Sequence, residues 1–132
     1  MNRRQFATFA VATSLIAAIS ALPAVAANRQ HFSGEAFSAA QKRNARILVD
    51  ISANWCPTCR AQEPIVNALM DEAGNQNVVI FDVDFDTQKE VVRYFNARTQ
   101  STLIAFRGPN ETGRSVGDTA PQSIASLVQS TH

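Results

Sequence analysis

The 132-residue chain contains only two cysteines, and they stand three apart in Trp55-Cys56-Pro57-Thr58-Cys59. Two thiols this close can form a structural staple, a disulfide that opens and closes, or part of a soft-metal site. Loop-closure entropy argues against the staple. A four-residue ring is worth about 2 kcal/mol, against about 5 kcal/mol for a loop of 100 residues. The same small ring opens with little backbone movement, which suits thiol–disulfide exchange. Pro57 fits the first turn of a helix, so Cys56 is expected at the helix entrance. Unpaired N–H groups and the helix dipole favour a thiolate there, and Arg60 adds positive charge. Cys59 falls one turn in. An exposed attacking Cys56 and a more covered resolving Cys59 follow from that placement.

Asp50 interrupts the apolar run Ile47-Leu48-Val49-Asp50-Ile51. A carboxylate in a buried strand costs several kcal/mol unless it is paired or protonated, and burial raises its pKa. Six residues ahead of Cys56, Asp50 can lie behind the thiol-bearing helix and take the proton of Cys59 as that thiol attacks a mixed disulfide. The plainer alternative is a strand-end acid facing water. Trp55, the only tryptophan, either shields the sulfurs and offers a flat apolar contact surface or simply packs in the core.

The elements that must position these residues are legible as alternating helices and short apolar strands. Residues 33–44 read as a helix capped by Ser33, with Glu35 in its first turn and Lys42 and Arg43 in its last. A buried strand over 46–52 precedes a long helix over 57–73, which Gly74 ends. A second strand spans 78–85. Thr87-Gln88-Lys89-Glu90 reads as a capping box opening a helix to 97. A third strand over 102–107 leads through a turn over 108–113 to a fourth at 114–116, and a final helix runs from 119 to 130. This α-β-α-β-α-β-β-α order predicts an α/β fold, a central mixed four-stranded sheet flanked by helices on both faces, its last two strands an antiparallel hairpin.

The segment Leu48-Val49-Asp50-Ile51-Ser52-Ala53-Asn54-Trp55-Cys56-Pro57-Thr58-Cys59, with Pro64 five residues on, resembles the active-site segment of thioredoxins. The spacing from Asp84-Phe85-Asp86 to Thr102-Leu103-Ile104-Ala105-Phe106 fits as well, as does Val116-Gly117 before the final helix. The resemblance covers nearly the whole chain after residue 26. It implies a thioredoxin-like fold, a helix kinked at Pro64, catalysis by Cys56, Cys59 and Asp50, and substrate contacts from Trp55, Pro57, Thr58 and the loop at Ser101. The family's inner dipeptide, usually Gly-Pro, is here Pro57-Thr58, and it tunes the reduction potential. Ser101 falls where the family has a cis-proline facing the thiols. A non-proline cis bond costs about 3–4 kcal/mol, so a trans bond is expected. Ser101 can still offer its backbone to a substrate peptide, or its hydroxyl to a thiolate.

The N-terminus reads differently. Arg3 and Arg4 precede an apolar, Ala-rich run over 10–22 and then Pro23-Ala24-Val25-Ala26-Ala27. A basic start, a short apolar run and an A-x-A site make a bacterial export signal cleaved after Ala26. The run falls short of the ~20 residues of a spanning helix, so an uncleaved anchor fits less well. Asn2-Arg3-Arg4-Gln5-Phe6 resembles a twin-arginine signal, read by a translocase that moves folded proteins. Two domains of unequal kind follow: a signal over 1–26 and a thioredoxin-like domain over 27–132. Cleavage removes two arginines and no acid, turning the net charge from +1 to −1. With no basic patch, nucleic acid is not an expected partner.

The reading is therefore a periplasmic, monomeric thiol–disulfide oxidoreductase that needs no cofactor. Its partners are protein disulfides and dithiols, and it is not inserted in the membrane once the signal is removed. Reduction is favoured over oxidation, because no inserted helical domain of the kind oxidant relatives carry is evident, and a reductant implies recharging by a membrane thiol conductor. The alternative is an exported module in which the two thiolates bind copper or an iron–sulfur cluster. Other signals carry less. Asp82-Val83-Asp84-Phe85-Asp86 lacks the Gly and Glu of a calcium loop and has a strand's period of two. Asn110-Glu111-Thr112 is a glycosylation sequon without weight in a bacterial protein. His31 and His132 lie near the ends of the mature chain.

Overall fold

A computed structural model describes residues 28–132; the export signal expected over 1–26 lies outside them. The order is β1 (Asn28–His31), α1 (Gly34–Lys42), β2 (Arg46–Ser52), α2 (Pro57–Asp71), a 3₁₀ turn (Ala73–Asn75), β3 (Val78–Asp84), α3 (Lys89–Tyr94), β4 (Thr102–Arg107), β5 (Asn110–Val116) and α4 (Pro121–Gln129). The strands form one mixed sheet in the order β1-β3-β2-β4-β5. β1, β3 and β2 run parallel, and β4 and β5 run antiparallel to their neighbours.

The sheet thus has five strands, not the expected four. The addition is β1, whose sequence Asn28-Arg29-Gln30-His31 has no apolar residue to mark it. Backbone pairing along the edge of β3 holds it in place. The hairpin turn is also shorter than expected. Only Gly108-Pro109 lies between β4 and β5, and β5 resumes at Asn110. Gly108 has φ +54, and a Cβ there would stand 2.7 Å from Asn44 Oδ1, so the turn needs glycine at this position.

Alternation along each strand divides the core between the two faces. Ile47, Val49, Ile51, Val79, Phe81 and Phe106 point toward α1 and α3, where Phe37 and Phe95 meet them. Leu48, Ile80, Leu103 and Ala105 point toward α2 and α4, against Val66, Leu69, Ile124 and Val128. The caps follow the sequence in part. Ser33 Oγ accepts from Ala36 N as expected. The capping box at Thr87 does not form. Instead Asp84 Oδ1 accepts from the backbone N–H groups of Asp86 and Thr87, and Gln88 caps α3 with its backbone alone.

One buried cation joins the lower ends of these layers. Arg46, 2% exposed, donates to Thr131 Oγ1 at 2.8 Å, Gly74 O at 2.6 Å, Asn77 Oδ1 and Asn75 Oδ1 at 3.0 Å, and Val128 O at 3.4 Å. All these acceptors are neutral. Burial, and secondarily the charge of Arg107, lower the pKa of Arg46.

Candidate functional site

β2 carries the chain out of the core and releases it into a tight turn closed by Cys56 N donating to Ala53 O at 3.1 Å. Cys56 is then the N-cap of α2, with Pro57 in the first turn. Its Sγ accepts from Cys59 N at 3.1 Å, so the sulfur occupies one of the unpaired donors of the helix end. A disulfide joins Cys56 to Cys59, with their Cα atoms 5.3 Å apart. Ala53, Cys56 and Cys59 form a small apolar cluster with Phe85 packed against it. Pro64 lies inside α2.

Ser101 reaches the pair from the loop before β4. Its Oγ stands 3.0 Å from Cys56 Sγ and 3.1 Å from Cys59 Sγ. All peptide bonds among the described residues are trans, and Ser101 has φ +60, a left-handed conformation uncommon for a residue with a side chain. Its carbonyl is tied inward, accepting from Gly117 N at 2.9 Å and from Gln62 Nε2 at 3.3 Å. Gln62, 2% exposed on α2, also donates to Asp118 O at 2.8 Å. It escapes sequence reading because a polar residue on a helix gives no sign of which loop it will hold.

The exposure of the two thiols departs from expectation. With the disulfide formed, Cys56 is 1% exposed and Cys59 is 8% exposed. The strand-to-helix turn folds back on itself and the Ser101 hydroxyl lies against both sulfurs, so the leading cysteine is the more covered one. Pro57 is exposed and Thr58 half-buried beside it. Trp55 is 55% exposed, and its Nε1 donates to Asp86 Oδ2 at 2.7 Å. It is not a core residue; its ring stands at the surface next to the cysteines. Arg60 is exposed and donates to Asn54 O.

Asp50 is 7% exposed, on the same sheet face as Leu48 and beneath α2. It lines a cleft of about 460 Å³ together with Cys59. Burial pushes its carboxyl up to about 6, against the opposing pull of Arg29, whose Nη1 lies 3.4 Å from Asp50 Oδ2. The same Nη1 pairs with Asp82 Oδ1. Asp82 carried the same signal as Asp50, an acid inside an apolar strand. Arg29 carried none, because its strand was not foreseen.

A dithiol pair at a helix entrance, over a buried carboxyl and facing a loop that touches both sulfurs, defines a thiol–disulfide oxidoreductase of the CxxC type. The thioredoxin family model matches residues 28–130. Thioredoxin H2-2 of Oryza sativa subsp. japonica is 37% identical over 75 residues, which span 56% of this chain and 54% of that protein. Thioredoxin H-type of Brassica campestris is 31% identical over 91 residues, 69% of this chain and 72% of that one. Among solved structures, Trxlp from Edwardsiella tarda EIB202 superposes with a TM-score of 0.74 at 37% identity, covering 76% of this chain and 97% of its own. Malassezia sympodialis thioredoxin shares the fold at a TM-score of 0.68 and 21% identity, covering 80% and 95%. The chain belongs to the thioredoxin family.

Proposed function

We propose that this protein exchanges electrons with protein disulfides in the bacterial periplasm, working mainly as a reductant and as a monomer. The observation that carries the reading is the Cys56–Cys59 disulfide at the entrance of α2, sharing a cleft with the buried carboxyl of Asp50. In the reduced protein the helix entrance favours the Cys56 thiolate, which attacks a substrate disulfide and releases one substrate thiolate. Asp50 takes the proton of Cys59. The Cys59 thiolate then attacks Cys56 of the mixed disulfide, closing the ring and releasing the second substrate thiolate, which is protonated from solvent. Because Cys56 is 1% exposed with Ser101 against it, Ser101 must yield before another protein's sulfur reaches that position. Trp55, Pro57 and Thr58 form the surface onto which the substrate docks. A membrane thiol conductor returns the electrons. A copper or iron–sulfur site would rest on the two thiolates, because among the described residues no group of three or more His, Cys, Asp or Glu side chains gathers.

The deciding experiment is Cys59→Ser. The variant should accumulate covalent mixed disulfides through Cys56 with exported proteins, visible on non-reducing gels and absent after reduction. Recovery of none from a periplasmic extract would sink the exchange mechanism.

Ser101 gives a second expected result. Its hydroxyl is within reach of either sulfur, so in the reduced form it can donate to the Cys56 thiolate. A hydrogen bond to a charged group is worth about 1.5 kcal/mol, so Ser101→Ala should raise the Cys56 pKa by about one unit. Thiolate absorbance followed against pH reads this directly. An unchanged titration would remove Ser101 from the site's electrostatics.

A further inference from the structure

The unforeseen edge strand brings a charge to the thiols. On β1, Arg29 lies opposite Ile80 and His31 opposite Asp82; on β2, Asp50 also lies opposite Asp82. All of them sit on the sheet face that α2 covers. Arg29 Nη1 bridges the two carboxylates, and its Nη2 is buried without a hydrogen-bond partner. Arg29, Asp50 and Asp82 line the same cleft as Cys59.

A mechanism that stops at Asp50 leaves a proton on a carboxyl that is 7% exposed. That proton has to leave before the next cycle. The side chain of Asp82 is 26% exposed, against 10% for that of Asp50, so the pair grades from the core toward water. We infer that Asp82 and Arg29 complete the proton exit of the dithiol, Asp82 relaying the proton from Asp50 to water in the cleft and Arg29 acting as the positioning residue that holds the two carboxyls together. This rests on the proposed role of Asp50. The balance is simple: Cys59 S–H gives its proton to Asp50, Asp50 gives it to Asp82, and Asp82 gives it to water, while the electron pair left on Cys59 forms the ring disulfide.

The charges facing Asp50 are Arg29 and His31 from β1, Asp82 and Asp84 from β3, and Arg60 and Glu63 from α2. Of these, Arg29 pulls the Asp50 carboxyl down, while Asp82 and Glu63 push it up. Removing Arg29 and removing Asp82 must therefore move the Asp50 midpoint in opposite directions.

The test measures two rates on the full chain from pH 4.5 to 9: single-turnover resolution of a preformed Cys56 mixed disulfide by Cys59, which reads the Asp50 midpoint, and multiple-turnover disulfide reduction, which reads proton exit. Arg29→Gln should raise the midpoint of the Asp50 limb by about one pH unit, and Arg29→Lys should restore it. Asp82→Asn should lower the midpoint and slow turnover about fivefold in dilute buffer, with concentrated imidazole recovering the rate as a substitute proton carrier. A structural role alone would lower the rate at every pH without moving the midpoint. Unmoved midpoints in both variants, or a loss in Asp82→Asn that buffer does not relieve, would overturn the relay. Asp50→Asn separates the two levels. If it leaves the limb in place, Asp50 is not the acceptor and the underlying reading fails. If it removes the limb while the other variants behave as wild type, only the relay fails.

Discussion

Asp50→Asn is expected to stabilise the folded protein by about 2 kcal/mol at pH 7 while slowing resolution of mixed disulfides about 100-fold. The two effects have one origin. A carboxyl that ionises near 6 when folded and near 4 when unfolded penalises the native state by about 3 kcal/mol once both forms are ionised. The sign follows from the direction of the shift. Below pH ~4 the carboxyl is protonated in both states and the penalty is absent. As pH rises from about 4 to 6 the unfolded chain ionises first and stability falls. Above 6 the loss is complete and constant. Asparagine keeps the shape and some hydrogen bonding but never ionises, so it recovers most of that loss at pH 7 and little at pH 4. Losing a positioned base removes a factor of 10² or more from a proton-transfer step. Urea unfolding at pH 4 and 7, with stopped-flow resolution rates, tests both halves. A variant no more stable than wild type at pH 7 would show that Asp50 is not held under strain by its burial.

Arg46→Met should destabilise the domain by about 3 kcal/mol, lowering Tm by about 15 °C, and leave the Cys56 titration unchanged. Methionine fills much of the volume but donates nothing. Asn75, 1% exposed, and Thr131, 0% exposed, then lose the guanidinium their oxygens face, as do the carbonyls of Gly74 and Val128. Each buried acceptor left without a donor costs about 1–3 kcal/mol, partly offset by sparing the cation its desolvation. A thermal melt within 5 °C of wild type would mean that water enters and takes over these bonds.

What the sequence disclosed depended on whether the signal was local. The Cys pair, Pro57 at a helix start and Asp50 within an apolar run are readable because each is defined by its neighbours. The helices and inner strands are readable for the same reason, since their faces repeat along the chain. β1 was hidden because it is polar throughout and owes its conformation to the exposed edge of β3, some 50 positions away. The capping box failed because Asp84, just upstream, takes the Thr87 N–H that the Glu90 side chain would have accepted. The covering of Cys56 could not be foreseen, as it depends on Ser101 adopting φ +60 and being pinned there by Gln62 and Gly117. The Arg46 cluster joins residues from three separate stretches, and no pattern within any of them announces it.

Thr131 has a practical consequence. This residue, just past the last helix, is sealed in the interior, its hydroxyl receiving Arg46 and donating to Val128 O. A cut or an expression clone that stops short of Thr131 would therefore be an internal lesion that uncaps a buried cation, although on paper it looks like tidying a loose end.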